Sequence, residues 1–253
     1  MKRAKTYNRR MRALSFLAVL AAALLGVPAA HAQTTAQPTA VAWYSFESSV
    51  AGGVAAEDQA RGAGLTVRSA NGGTITPIPG QGGTGRAIAL PTRCRTGGSC
   101  PRAILERPDH SSLDPGTARI RYGAGMLLRA EQTSGGENIV QKGVWNSSSM
   151  YKLQVDGVAG HPSCVLRGVG ARRTYIAVSS VTVADGRWHW VMCDRQGATL
   201  RILVDGVPTG QRAVPAALSI TNSAPLRVAG KNLSQSNDQY HGALDNVFVI
   251  VGG

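Results

Sequence analysis

The sequence predicts an all-β domain, and two observations carry this prediction. Short runs of β-branched and aromatic residues recur at close spacing, with turn pairs such as Asn71-Gly72 and Asp156-Gly157 between them. No segment keeps a helical period over three turns, and the 31 glycines disfavour long helices. Many short strands indicate a sandwich or a barrel. The predicted strands are Val41–Phe46, Leu65–Arg68, Arg86–Leu90, Tyr122–Leu128, Ile139–Lys142, Tyr151–Val155, Cys164–Arg167, Thr174–Val178, Trp188–Asp194, Thr199–Val204, Leu226–Ala229 and Ala243–Ile250.

The N-terminus predicts export from the cell. A basic segment precedes the uncharged apolar stretch Ala13–Val27, and the small-residue tripeptide Ala30-His31-Ala32 follows it. This order is typical of a secretory signal peptide, and the apolar run is too short for a membrane span. We therefore predict a signal peptide over residues 1–32, a short leader over 33–40 and one secreted domain over 41–253 with no membrane span.

The most informative stretch runs from Asp185 to Val207 and contains two hairpin signals. Asp185-Gly186 is predicted to be a turn that precedes a strand. In that strand Trp188, Trp190 and Met192 share one face, and His189, Val191 and Cys193 share the other. The chain reverses at Arg195-Gln196-Gly197, and Asp205-Gly206 turns it again.

This stretch resembles the laminin G-like, concanavalin A-like jelly-roll domains. Three further segments are similar to the same family: Trp43–Glu47 to its opening strand, Gly85–Leu90 to a second landmark, and Gly242–Val247 to its closing strand. The resemblance implies a two-sheet antiparallel jelly-roll β-sandwich. It does not select one function, because such domains serve as sugar binders, adhesion modules and appendages of enzymes.

Four cysteines are present, and an even number in an exported protein indicates disulfides. Four cysteines allow three pairings, and the lack of a C-x-x-C pair or clustered histidines disfavours zinc. The resemblance places Cys164 and Cys193 on strands that lie close together, which implies that they pair. Cys94 and Cys100 flank a flexible loop that can close on itself.

Motifs for catalysis are missing, so the sequence predicts no catalytic residue. Glycoside hydrolases built on this jelly roll use E-x-D-x-E or E-x-D-x-x-E, but none of the five glutamates has an aspartate two residues later. G-x-S-x-G and H-E-x-x-H are absent as well. A hydrolase that pairs His189 or His161 with an aspartate remains an alternative.

The resemblance also implies one structural calcium ion where the first and last strands meet. A hard cation prefers carboxylate and carbonyl oxygens. Glu47 after the opening strand, Asp58 in the next loop and Asp245 on the closing strand match this position.

Charge and aromatic residues suggest the partner. The segment after the signal carries 21 cations and 14 acids, and its arginines are scattered rather than gathered on a basic face, which disfavours nucleic acid. Trp145 in a polar loop offers a stacking face for a sugar ring, and Arg172, Arg173 and Tyr175 offer polar contacts. We expect a monomeric, non-catalytic module for a glycan or an anionic cell-surface polymer. A protein-binding adhesion or structural domain is the other alternative.

Overall fold

The computed structural model describes residues 39–48, 59–60, 62–94, 99–146 and 149–253, and these residues form fifteen β-strands. The strands are β1 (Ala40–Tyr44), β2 (Thr66–Ala70), β3 (Thr76–Pro79), β4 (Arg86–Ala89), β5 (Arg102–Arg107), β6 (Ile120–Arg129), β7 (Glu137–Lys142), β8 (Met150–Asp156), β9 (His161–Arg167), β10 (Tyr175–Val178), β11 (Asp185–Gln196), β12 (Thr199–Val204), β13 (Val207–Ala213), β14 (Leu226–Val228) and β15 (Ala243–Val251).

The strands form two antiparallel sheets, as predicted. The larger sheet has eight strands in the order β13-β12-β11-β6-β15-β4-β3, with β1 paired to β15 beside this path. The smaller sheet has seven strands in the order β10-β9-β8-β7-β14-β5-β2. Non-consecutive neighbours such as β6 and β15 show that the chain crosses between sheets, as it does in a jelly-roll sandwich.

Side chains that face the core alternate with side chains that face away from it along the strands, and the first set forms the core between the two sheets. On β6 the residues Ile120, Tyr122, Ala124, Met126 and Leu128 are all fully buried and belong to one cluster. Since successive side chains point to opposite faces, the residues between them face away from the core. Cys193 of the larger sheet and Cys164 of the smaller sheet meet in this core and form a disulfide.

One local prediction was wrong. Asp185-Gly186 does not turn the chain but lies inside β11, which begins at Asp185. The register against β6 shifts between Asp185 and Trp188, and Gly186 has a positive φ of 79°. This pattern is a β-bulge, in which an extra residue and a glycine bend the strand without ending it. Sequence alone does not separate the two cases, because bulges and turns favour the same residues.

Strand register defines two ends of the sandwich. At the first, which we call the Trp145 end, β6 begins at Ile120 opposite Val251 of β15, and β7 ends at Lys142 before the loop that holds Trp145. At the opposite end, which we call the His241 end, β7 begins at Glu137 and β15 follows His241.

Helical structure in the described residues is limited to three single 3-10 turns, Gln81–Gly83, Ser111–Leu113 and Ala130–Gln132. None of these described segments has the length or the apolar character that a membrane crossing requires. The predicted signal peptide and most of the predicted leader lie outside the described residues.

Candidate functional site

Trp145 is one of the four residues that the sequence predicts to contact a ligand. In the structure it is 70% exposed. Two cations, one half-buried and one fully buried, lie beside this loop. Nη1 of Arg167 donates a hydrogen bond of 2.8 Å to the carbonyl oxygen of Trp145. Nζ of the fully buried Lys142 lies 2.9 Å from Asp109 and 2.7 Å from Asp114. The indole is therefore presented to solvent from an anchored loop.

Arg172 and Arg173 lie in the β9–β10 connection, and Tyr175 is the first residue of β10. All three line an open hollow with Pro215 and Leu218. Strands β8 and β9 pair with Met150 opposite Arg167, so the loops before β8 and after β9 emerge at the same end of the smaller sheet. The four predicted contact residues thus share the Trp145 end. Trp145 itself does not line the hollow, so the indole and the hollow are neighbouring features rather than one pocket.

Buried Arg195 holds the loop segments at this end together. It is fully buried, and its guanidinium donates to the carbonyl oxygens of Ala118 at 2.9 Å and Ala216 at 2.7 Å. Carbonyl oxygens from two separate loops satisfy one cation, which fixes those loops against each other. No sequence pattern marks this role, because the acceptors are backbone atoms.

Two of the three predicted cation ligands, Glu47 and Asp245, flank the glycine-rich loop Gly80–Gly85. A Cβ atom at Gly85 would lie 2.4 Å from Oε1 of Glu47, and one at Gly80 would lie 3.3 Å from Oδ2 of Asp245. Oε2 of Glu47 also accepts a hydrogen bond from the backbone N–H of Arg86 at 3.1 Å. The G-x-G-x-x-G pattern here is thus a turn against two carboxylates and not a phosphate loop. Asp58, the third predicted ligand, lies outside the described residues.

The surroundings of Asp245 offer part of the ligand set of a hard cation. The described residues bring no three acidic, histidine or cysteine side chains together, so backbone oxygens would have to complete the set. Its carboxylate is almost fully buried, and Oδ1 has no hydrogen-bond partner among the described residues. Burial raises the pKa of Asp245, backbone and side-chain hydrogen bonds partly offset this, and the negative charge of Glu47 raises it further. A buried, unpaired carboxylate oxygen near a second carboxylate is the environment that a divalent cation relieves.

His189 lies between two aspartates rather than beside a nucleophile. Nδ1 lies 2.8 Å from Oδ2 of Asp205, and Nε2 lies 3.1 Å from Oδ1 of Asp185. Partial burial lowers the pKa of His189, but its bonds to Asp205 and Asp185 outweigh this effect and the pKa lies above the ordinary value. No described hydroxyl or thiol bonds to the ring, so the arrangement holds a turn and does not resemble a nucleophile and base.

His161 also has a structural contact. Its Nδ1 lies 3.1 Å from the carbonyl oxygen of Ser179, and because a carbonyl only accepts, Nδ1 carries the proton. The structure therefore places His161 in a contact between strand β9 and the segment after β10.

A cavity of about 300 Å³ at the His241 end was not predicted from the sequence. Its walls come from four separate segments of the chain, which is why no local motif marks it. Two arginines, a histidine and several small polar residues line it together with the Cys94–Cys100 disulfide. The lining residues are Arg93, Cys94, Cys100, Pro101, Arg102, Ser134, Gly135, Gly136, Gln235, Ser236, Asn237, Asp238, Gln239 and His241.

Comparison with known proteins identifies relatives by sequence profile and by fold. Residues 127–250 match the profile described as the concanavalin A-like lectin/glucanases superfamily. No curated protein matches the sequence at a significant level.

Three solved structures illustrate the likeness in fold. Domain 4 of the extracellular arabinanase AbnA from Geobacillus stearothermophilus, in complex with arabinotriose, has a TM-score of 0.63 at 14% identity, over 85% of this chain and 93% of that one. The binding domain of paraclostridial mosquitocidal protein 1 has a TM-score of 0.58 at 11% identity, over 78% and 46%. The binding domain of botulinum neurotoxin DC in complex with SialylT has a TM-score of 0.57 at 10% identity, over 85% and 48%. This chain spans about half the length of the two toxin domains.

Proposed function

We propose, because the domain formed by this chain belongs to the concanavalin A-like lectin/glucanase superfamily, that it is a non-catalytic module that binds extracellular glycan. The observation that carries the proposal is the 70% exposed indole of Trp145, held on an anchored loop at the same end as Arg172, Arg173 and Tyr175. A large aromatic face kept in solvent in this way is suited to stacking on a sugar ring.

Similar folds support the ligand class. The arabinanase domain was solved with arabinotriose, and the botulinum neurotoxin DC domain was solved with SialylT. Cell entry of botulinum neurotoxin type C, another protein of similar fold, depends on two ganglioside molecules. Glycan is therefore the class of ligand that these structures favour for this chain.

At the Trp145 end the indole and the two arginines have different roles in ligand binding. The indole contacts the apolar face of a sugar ring, and the guanidinium groups of Arg172 and Arg173 bind hydroxyl groups or the carboxylates of an acidic polymer. Sugar hydroxyls are satisfied equally by water, so a single module is expected to bind weakly, with a Kd of about 10 µM to 1 mM, or roughly 4 to 7 kcal/mol.

The proposal places the domain outside the cell and includes one structural calcium ion. The N-terminal export pattern and the two disulfides of the described residues support the location, since disulfides persist in oxidising compartments. Asp245 and Glu47 would hold the ion at the edge of the larger sheet. Its contribution there is to neutralise two carboxylates and fix the Gly80–Gly85 turn.

A titration of the mature domain with a neutral arabinan and with polygalacturonate, each at low and high salt, tests the proposal. Trp145→Ala should abolish binding to the neutral arabinan and weaken binding to polygalacturonate, whereas Val158→Ala, which removes an exposed apolar side chain at the other end, should do neither. Replacing Arg172 and Arg173 by Gln should weaken binding to the acidic polymer, mainly at low salt, because exposed charges are screened. Binding that survives both sets of replacements would place the site elsewhere.

A further inference from the structure

Arg102 is a buried cation without a partner. It begins β5 on the face of the smaller sheet that points away from the core, and it is only 7% exposed. Its Nε is buried without a hydrogen bond, and no ion pair joins Arg102 to any described residue. A buried cation with no compensating charge is costly, and a bound anion would supply that charge.

The other charges around the cavity leave it positive. Arg93 donates from Nη1 to the carbonyl oxygen of Thr133, and no described carboxylate forms an ion pair with it. Asp238 lines the cavity as well, but its Oδ2 lies 3.0 Å from Nζ of Lys231, which neutralises it. Two guanidinium groups therefore line the cavity with one carboxylate that is already paired. The charge of Arg93 also acts on the buried carboxylate of Glu137, which does not line the cavity.

His241 is the third residue of the cavity lining that could carry a positive charge, but it is neutral and can accept a hydrogen bond. Its Nδ1 lies 2.8 Å from the carbonyl oxygen of Pro91, and a carbonyl only accepts, so Nδ1 carries the proton. Nε2 then holds a lone pair, and no described residue donates to it. Burial lowers the pKa of His241, a bond to Pro91 partly offsets this, and the charge of Arg93 lowers it further. At neutral pH the ring offers an acceptor for a hydroxyl group.

We propose that this cavity at the His241 end is a second binding site, separate from Trp145, and that it takes a small hydroxy acid, namely the carboxylate-bearing ring of an acidic sugar. Arg102 and Arg93 bind the carboxylate, and Nε2 of His241 accepts a hydrogen bond from a ring hydroxyl. A guanidinium binds a carboxylate through two parallel hydrogen bonds. The acceptor at His241 favours a hydroxy acid over an inorganic anion such as sulfate, which has no hydroxyl group to donate. The cavity volume of about 300 Å³ is at the lower limit for small-molecule sites and suits one sugar ring.

Calorimetric titration of the mature domain with glucuronate, glucose and inorganic sulfate tests this assignment. Glucuronate should bind saturably and should raise the Tm, because a ligand that binds only the folded state stabilises it. Glucose has the hydroxyls without the carboxylate and should not bind. Sulfate should bind at least about tenfold more weakly than glucuronate, a difference of roughly 1.4 kcal/mol.

Variants separate the site from general effects of charge. Arg102→Gln and Arg93→Gln should each weaken glucuronate binding by tenfold or more, whereas Arg212→Gln, the same change on the exposed strand β13, should leave it intact. The Tm of each variant shows whether it is folded. If Arg102→Gln does not fold, Arg93→Gln alone tests the proposal. Trp145→Ala should also leave glucuronate binding intact. The proposal of a glycan site at Trp145 and the proposal of this second site can therefore be refuted independently of each other.

Three results would overturn the assignment. Equal affinity for glucose would show that the carboxylate is not recognised. Equal affinity for sulfate would reduce the cavity to a site for an adventitious ion only. Full glucuronate binding by folded Arg102→Gln and Arg93→Gln would place the anion at another surface.

Discussion

Nδ1 of His189 lies 2.8 Å from Oδ2 of Asp205, and the other carboxylate oxygen of Asp205 accepts a hydrogen bond of 2.8 Å from the backbone N–H of Trp190. One side chain in the turn after β12 therefore holds both the backbone and the imidazole of β11. Because both ring nitrogens of His189 face carboxylate oxygens, both can donate only when the ring is protonated.

This arrangement predicts a loss of stability as pH rises. The pKa of His189 in the folded protein lies above its ordinary value of 6.5, so the stabilisation is fully present below that pH and is lost as pH rises through the folded pKa. Denaturant unfolding between pH 5 and about 9 should show this fall in the free energy of unfolding. His189→Gln should flatten it, and the exposed His110→Gln should not. A slope unchanged in His189→Gln would contradict the prediction.

Glu137 predicts a second, separate pH dependence. This side chain is fully buried, and burial raises its pKa to about 7, although hydrogen bonds from His241 and Ser134 partly offset the shift. The folded state then binds a proton that the unfolded state has lost, so stability falls as pH rises from about 4.5 to about 7, by an amount on the order of 3 kcal/mol.

Glu137→Gln should remove this slope, because the amide has the shape of the protonated acid and does not ionise. Glu131→Gln, on an exposed glutamate six residues earlier, should retain it. The lowered pKa of His241 has the opposite effect, because it makes the protein lose stability as pH falls. The difference between variant and wild type therefore isolates the effect of Glu137 better than the wild-type dependence of unfolding free energy on pH. Equal slopes in wild type and Glu137→Gln would refute the prediction.

The Cys164–Cys193 disulfide should stabilise the domain more than the Cys94–Cys100 disulfide. Its residues are 29 apart in sequence against 6, and a longer closed loop restricts the unfolded chain more. Replacing Cys164 and Cys193 by Ala should lower the free energy of unfolding by about 2–5 kcal/mol. The double replacement of Cys94 and Cys100 serves as the control and should have a smaller effect. Non-reducing peptide mapping checks the pairing, and crossed pairs or free thiols would invalidate the comparison.

Chelation should destabilise the protein if calcium occupies the site of Glu47 and Asp245. The Tm is expected to rise with the logarithm of calcium concentration and to fall on addition of EDTA. Asp245→Asn should remove the sensitivity, because Oδ1 is the buried oxygen without a partner among the described residues. Glu131→Gln should keep it. Identical melting curves with and without chelator would end the calcium proposal.

The all-β sandwich was predictable because apolar and polar residues alternate along strands such as β6 and β12. Strands β3, β5 and β13 were not predicted. Two prolines interrupt the pattern of β3, three charged residues mask β5, and β13 is an exposed edge with mostly polar or small residues. Their strand conformation depends on neighbours that lie far away in sequence.

Some of the site residues could likewise be predicted from the sequence, and others could not. The placement of Glu47 beside Asp245 was reachable through the resemblance, since both belong to segments with family-like patterns. Arg102 carries no such signal. What distinguishes it from the other scattered arginines is burial without a partner, and that property appears only when β5 and the segments of Asn237 and His241 come together.

The pairing of Ala40 with Ile250 has a practical consequence for handling the protein on a support. Both boundaries of the domain emerge on the side of Trp145, so a tether or fusion partner attached at either boundary turns that side toward the support and leaves the Arg102 cavity facing the solution. Immobilisation through a terminus would then suppress capture of polymer at Trp145 while sparing small acids. Attachment through a side chain at position 158, in the exposed turn between β8 and β9 at the His241 end, would invert this orientation, and the two immobilised forms could be compared on one sensor surface.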